Sequence, residues 1–225
     1  MKLTKTDQAV VLEPDSAARA SVIWLHGLGA DGHDFVPIVP ELHLQMDHGV
    51  RFVFPHAPMR PVTINGGMAM RAWYDIYSLS GMKKQDEAGI RDSERIVHRY
   101  VEEEKAHGIP AHRIVLAGFS QGGAVTLHAG LRYPEKLAGL MALSTYAPLG
   151  EKIPTEARRE RIDTPILMCH GQYDQTLPMM LGEHTRDGLR ELGYQIDWHE
   201  YPMAHQVCAE EIEVIGAWLR ERLGA

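Results

Sequence analysis

The run Gly118-Phe119-Ser120-Gln121-Gly122, followed by Gly123, sets a hydroxyl between glycines two positions away on either side. The β-branched and apolar stretch Arg113 to Ala117 leads into it, and Ala124 to Ala129 leads out as a helix that stops near Tyr133-Pro134. Strand, sharp turn and helix is the context in which G-x-S-x-G presents a nucleophile. The turn forces an unfavourable backbone conformation on the serine, and close packing admits only small neighbours. Free N–H groups at the start of the helix face the same spot, so negative charge forming there is stabilised. The chemistry expected is attack of Ser120 on a carbonyl carbon.

A hydroxyl is a poor nucleophile at neutral pH and needs a base, and the base needs a partner that fixes its tautomer. On such a turn the chain order is serine, acid, histidine. Of the 13 histidines, His128, His170, His184, His199 and His205 follow Ser120. His128 falls inside the helix after the serine, His170 ends a strand run, and His184 lies in the helical pattern Met180 to Leu192. His199 sits on a strand run and is the reserve. His205 lies just beyond it, in the turn Tyr201-Pro202-Met203-Ala204-His205, where an α/β sheet gathers its reactive groups, and is the expected base. The acid expected is Asp174, in the loop Gly171-Gln172-Tyr173-Asp174 after the strand run Ile166 to Cys169. Asp163 precedes that run, Asp187 falls on a helix and Asp197 within a strand. The oxyanion of a tetrahedral intermediate needs two donors. Backbone N–H groups of Gln121 and of Leu28, in His26-Gly27-Leu28-Gly29 after the strand run Ser21 to Leu25, fill that role.

Gly27-Leu28-Gly29-Ala30-Asp31-Gly32 is also a formal G-x-G-x-x-G after a strand, which alone points to a dinucleotide. That reading requires an acid about 20 positions on, at the end of the next strand. Asp47 has the spacing but precedes the run Arg51 to Phe54, so no cofactor is expected. No H-E-x-x-H or paired cysteine spacing is present, so no metal is expected either.

These residues need a scaffold, and short apolar runs alternate with helical patterns throughout. Ser21 to Leu25, Arg51 to Phe54, Ile114 to Ala117, Leu140 to Leu143, Ile166 to Cys169 and Gln195 to Trp198 read as buried strands. Ile90, Val97, Tyr100 and Val101 give a helix stopped by Gly108-Ile109-Pro110, and Ile212, Ile215, Trp218, Leu219 and Leu223 give a last one with one apolar face. The pattern predicts a single α/β domain with a mostly parallel central sheet and helices on both faces. The loosest stretch, the 19 residues from Thr145 to Asp163, is too short for a cap domain, and its charge run Arg158 to Arg161 reads as a solvated turn.

At 225 residues with 44% hydrophobic content the chain can bury one large core. Its net charge of -7 is the opposite of what phosphate backbones or anionic lipid attract, so no nucleic-acid partner is expected. Two cysteines, Cys169 and Cys208, make no disulfide framework. No apolar run approaches the roughly 18 residues of a membrane span, and the N-terminus is charged and polar. A cytoplasmic location without a membrane span is the expectation.

Five segments in order resemble motifs of the carboxylesterase and acyl-protein thioesterase family of α/β-hydrolases, in its bacterial carboxylesterase form. They are His26 to Gly32, Pro61 to Gly67 with Arg71 to Asp75, Gly118 to Gly123, His170-Gly171 with Asp174, and His205 followed by Glu210-Glu211. The resemblance implies an α/β-hydrolase fold with a minimal lid, a triad of Ser120, Asp174 and His205, and an oxyanion hole of Leu28 and Gln121. Ala204-His205-Gln206 departs from the Gly-His-Ser of many relatives. A homodimer is a further expectation from the resemblance. Trp73, Met68 and Met70 are the candidates, beside Leu28, to line an acyl channel. The function expected is hydrolysis of short- to medium-chain carboxylic esters, with small-molecule esters or thioesters as substrates. Acyl-protein thioesterase or lysophospholipase action by the same triad is the alternative, and a non-catalytic binding protein on this scaffold the remote one.

Overall fold

The computed structural model describes residues 1–45, 47–78 and 84–225. Its frame is an eight-stranded sheet in the order β1-β2-β4-β3-β7-β8-β9-β10. The strands are β1 (Lys2–Lys5), β2 (Ala9–Glu13), β3 (Ala20–Leu25), β4 (Val50–Pro55), β7 (Ile114–Phe119), β8 (Gly139–Leu143), β9 (Ile166–Gly171) and β10 (Ile196–Tyr201). From β4 to β10 all neighbours are parallel, whereas β1 and β2 pair antiparallel at one edge. A separate antiparallel hairpin, β5 (Met59–Val62) and β6 (Met68–Arg71), stands off the sheet.

The central strands are buried on both faces, which is why they read as unbroken apolar runs. Along β3, Ile23 and Leu25 enter one core layer and Val22 and Trp24 the other. The first layer is closed by α1 (Glu87–Ala106) and α2 (Gln121–Arg132), through Ile90, Val97, Tyr100, Val125 and Leu127, and by α4 (Met179–Glu191) through Leu189. The second is closed by α5 (Ala209–Leu223), which buries Ile215, Trp218, Leu219 and Leu223. The predicted spacings on the first and last helices are thus the buried faces. Asp86 caps α1, accepting from Gly89 N–H at 3.0 Å through Oδ1, and the chain leaves that helix through Gly108 at φ 90°.

The six expected strands are all present. The last runs on to Tyr201, paired with β9 as far as Gly171, and its half-buried His199 and exposed Glu200 mask the strand pattern. The edge strand β1 and the hairpin carry few buried apolar side chains, and β2 buries only the short run Ala9-Val10-Val11; none of these four strands is among those the sequence pattern predicts. Among the described residues, no helix is long and apolar enough to cross a membrane.

The stretch from Thr145 to Asp163 forms short helical turns, including α3 (Ile153–Glu156). An ion network ties it to the first core layer. Glu156 accepts from Arg91 Nη2 at 2.5 Å and from Arg132 Nε at 2.7 Å. Arg132 is buried, so the pair is far better shielded than a surface bridge. These two guanidiniums, Arg91 foremost, hold the Glu156 carboxyl down to about 2. That contribution is complete above the ordinary glutamate value and is lost as pH falls from there towards 2. Glu156→Gln leaves Arg132 without its counter-charge and costs about 1 to 3 kcal/mol. Urea unfolding at pH 7 measures the loss, and the difference from wild type should shrink as pH drops below 4.

Candidate active site

The C-terminal ends of β3, β7, β8, β9 and β10 follow one another in the parallel part of the sheet, so the loops that leave them share one rim. Such a rim is where an open α/β sheet places its ligands. Ser120 stands between β7 and α2 at φ 54° and ψ −121°, a left-handed conformation that costs a non-glycine residue on the order of 1 to 3 kcal/mol. Its neighbours enforce it. A Cβ on Gly118 would lie 2.4 Å from the Gly122 backbone, and one on Gly122 would lie 2.3 Å from the Leu25 carbonyl oxygen. Ser120 N–H donates to Leu143 O at 2.9 Å, and the Thr145 hydroxyl donates to Ser120 O at 2.7 Å. The turn is therefore clamped between β3 and the end of β8.

Ser120 Oγ lies 2.9 Å from His205 Nε2, and His205 Nδ1 lies 2.6 Å from Asp174 Oδ2. An ionised carboxylate only accepts, so Nδ1 carries the imidazole proton and Nε2 is left to accept from the serine. Asp174 is buried, and its Oδ1 accepts from the N–H groups of Thr176 and Leu177 at 2.9 and 2.8 Å. The Phe119 ring packs on His205 with centroids 4.8 Å apart and restricts its rotation. His170, read from the sequence as a residue that only ends a strand, is buried beside the acid, with Nε2 3.6 Å from Asp174 Oδ2 and 2.9 Å from Leu177 O. Burial pushes its pKa down, so it stays neutral there and donates to Leu177 O.

The N–H groups of Leu28 and Gln121 have no intramolecular acceptor among the described residues, and both residues line the cavity that contains Ser120. The Leu28 loop is held by His26, whose Nδ1 donates to Gly27 O at 2.7 Å while Nε2 accepts from Ala57 N–H at 3.0 Å. That arrangement needs a neutral ring. Burial supplies it, lowering the His26 pKa to about 4.

Trp73 is fully buried and is not in the cavity wall. The expectation that it lines an acyl channel is corrected: its Nε1–H donates to His26 O at 2.9 Å and its backbone N–H to Gln121 Oε1 at 2.8 Å. Gln121 Nε2 in turn donates to Tyr74 O at 2.8 Å. Trp73 and the Gln121 side chain together brace the Leu28 loop against the serine turn. Met68 and Met70 lie on β6 and neither lines the cavity: Met68 is exposed, and Met70 Sδ accepts from Asn65 Nδ2 at 3.3 Å, so that Asn65 and not the methionine reaches the wall. The walls come instead from Leu28, Ile64, Tyr74, Ile76, Tyr146 and Leu177. The cavity measures about 370 Å³. The sequence signal for Tyr74 and Ile76 was their place in the Arg71 to Asp75 segment and just after it; Tyr146 and Leu177 carried none.

The remaining candidates lie elsewhere. His199 bonds Asp197 on the exposed edge strand at 2.9 Å, and His128 bonds Glu94 across α1 and α2 at 2.9 Å. Asp47 is exposed and precedes β4, so no acid ends that strand opposite the glycine loop.

A strand-turn-helix serine with an acid and a histidine on neighbouring strand ends of a mostly parallel sheet defines the α/β-hydrolases. The phospholipase/carboxylesterase family model matches residues 6–223, and the chain belongs to that family. It is 43% identical over 213 residues to acyl-protein thioesterase 1 of Neurospora crassa, covering 91% of this chain and 87% of that one. Among solved structures, Arabidopsis thaliana SOBER1 superposes with a TM-score of 0.86 at 32% identity, covering 92% of this chain and 100% of that one. Zea mays acyl-protein thioesterase 2 gives a TM-score of 0.86 at 28% identity, with 96% and 99% coverage. The protein is thus an ester or thioester hydrolase. Its acyl-protein thioesterase relatives at 37 to 43% identity are fungal, and they give no support to the bacterial subtype expected above.

Two outcomes follow from the bracing. Gln121→Ala leaves Trp73 N–H and Tyr74 O unpaired in the interior and lowers stability by about 1 to 3 kcal/mol, read by chemical denaturation. The unfolded chain binds a proton at His26 near pH 6.5 and the folded chain only near 4, so stability falls as pH drops through that window. In His26→Gln the loss between pH 7 and 4 should be visibly shallower.

Proposed function

We propose that the protein hydrolyses short- to medium-chain carboxylic esters and thioesters through an acyl-enzyme on Ser120. The observation that carries this reading is the unbroken relay from Ser120 Oγ through His205 to Asp174, with steps of 2.9 and 2.6 Å, opening into a largely apolar cavity. As Ser120 Oγ attacks the carbonyl carbon, its proton passes to His205 Nε2, and Asp174 stabilises the imidazolium. The carbonyl oxygen takes the negative charge and is met by the N–H groups of Leu28 and Gln121, whose positions are fixed before substrate arrives. When the tetrahedral intermediate collapses, Nε2–H protonates the departing oxygen or sulfur. Water then gives a proton to the same nitrogen and attacks the acyl carbon. The acyl carbon–Oγ bond then breaks, Nε2–H returns its proton to Ser120 Oγ, and the acid leaves.

An alcohol and a thiol leave by the same route, so the relay does not choose between them. Action on acyl thioesters of proteins is the second reading. What favours it is that several relatives sharing more than a third of their residues with this chain are named acyl-protein thioesterases.

Purified wild type should hydrolyse chromogenic esters from acetyl to octanoyl. Ser120→Ala, folded by circular dichroism, should lose about a thousandfold or more in kcat, and His205→Ala a similar factor. Undiminished turnover in folded Ser120→Ala would exclude the serine mechanism. Comparing an oxygen ester with a thioester of the same acyl group decides between the two substrate readings.

A further inference from the structure

A second cavity of about 540 Å³ lies between α4 and the turns around α3, and it shares Tyr146 and Gln85 with the cavity that contains Ser120. These two residues border both spaces, so they form the partition between them. Each is fixed from behind. The Tyr146 hydroxyl meets that of fully buried Tyr74 at 3.1 Å, and Gln85 Oε1 accepts from Leu149 N–H at 2.9 Å. Ala147, next along the chain, donates its N–H to the Thr185 hydroxyl at 2.9 Å, which ties the partition to α4. Behind it the second cavity is faced largely by apolar groups, among them Ile153, Pro154, Leu181, Leu189 and Leu192.

The first cavity, about 370 Å³, is near the lower end of the roughly 300 to 1,000 Å³ usual for small-molecule sites, and the two together approach its upper end. We propose that Tyr146 is the acyl-length stop of this hydrolase, ending the acyl site at the partition and closing off an apolar chamber that would otherwise take the distal methylenes of a long fatty acyl group. The proposal rests on the reading above that the acyl group is carried on Ser120 in the first cavity. Each methylene moved from water into apolar surroundings contributes about 0.8 kcal/mol, or close to fourfold in kcat/KM where it is held in the transition state. Three or four methylenes admitted to the chamber therefore change selectivity by well over tenfold. Tyr146 is a specificity-determining residue in this account, since it touches the substrate's tail and none of the reacting atoms.

The chamber can be filled without disturbing its walls. Gly188 lines it from α4, and a Cβ built there meets nothing within 4 Å, so Gly188→Leu projects into open space from a helical position with no strained backbone. The experiment measures kcat/KM on ester series from butyryl to palmitoyl for wild type, Tyr146→Phe, Tyr146→Leu, Tyr146→Ala and Tyr146→Ala with Gly188→Leu. Wild type and Tyr146→Phe should both decline beyond medium chains, because the ring and not the hydroxyl is the stop. Tyr146→Ala should raise the palmitoyl-to-butyryl ratio by tenfold or more, and Gly188→Leu in that background should abolish the gain. Tyr146→Leu, which keeps apolar bulk at the position and so its packing, should give a smaller shift in the same direction even if Tyr146→Ala fails to fold. An unchanged ratio in the folded Tyr146 variants overturns the proposal, as does a gain that survives Gly188→Leu. A wild type already fastest on palmitoyl esters overturns it too. A wild type with no activity on any ester or thioester overturns instead the acyl-enzyme reading on which it rests.

Discussion

Ser120 sits at φ 54° only because two glycines let three pieces of backbone meet at the end of β7. Gly122 runs against the end of β3 and Gly118 against the first turn of α2, so the strand-to-helix turn is locked into the sheet. The strain is sustained by the packing of both core layers, to which β3, β7 and β8 contribute almost wholly buried side chains. That constraint sets the direction of the serine side chain, the start of α2 and the place of the Gln121 N–H in one step. Were the turn to relax, the hydroxyl, the helix end and the oxyanion donor would move together.

The other site groups are arranged around that fixed point by buried polar contacts. His26, Trp73 and Gln121 form a chain of hydrogen bonds from the loop after β3 to the turn after β7, each link 2.7 to 3.0 Å long. Asp174 is held by its own loop through two N–H groups, with neutral His170 beside it, so its orientation towards His205 is set before any substrate binds. Preorganised donors and a fixed acid mean that little reorganisation is left for the reaction itself. The cavity's outer walls come from segments outside this brace: Ile64 and Asn65 in the turn between β5 and β6, Ile76 beyond the hairpin, and Tyr146 after β8.

The elements legible in the sequence are those whose composition follows from burial on two faces. Ser21 to Leu25 and Ile114 to Ala117 could be read because burial on both faces leaves them apolar but for Ser21, and α1 and α5 because one helical face is apolar. The three residues of the relay were legible for a related reason: their place in the chain is set by which strand ends they follow. Edge strands such as β1, with every side chain exposed, carry no such pattern. The lining residues were misassigned because an aromatic or a methionine near a glycine-rich loop says nothing of which way it points. Trp73 turned inward to donate to His26 O, and the hairpin carried Met68 outward. Tyr146 was silent because its role depends on the space behind it, which no local sequence encodes.

The account turns on Ser120 carrying the acyl group, and rapid-quench mass spectrometry tests this most directly. Wild type mixed with a chromogenic butyryl ester and acid-quenched within milliseconds should show a butyryl adduct on the peptide that contains Ser120. The adduct should form with the burst of released chromophore and decay at the rate of steady-state turnover. Turnover without any adduct on that peptide, or with the adduct on another residue, would contradict the account.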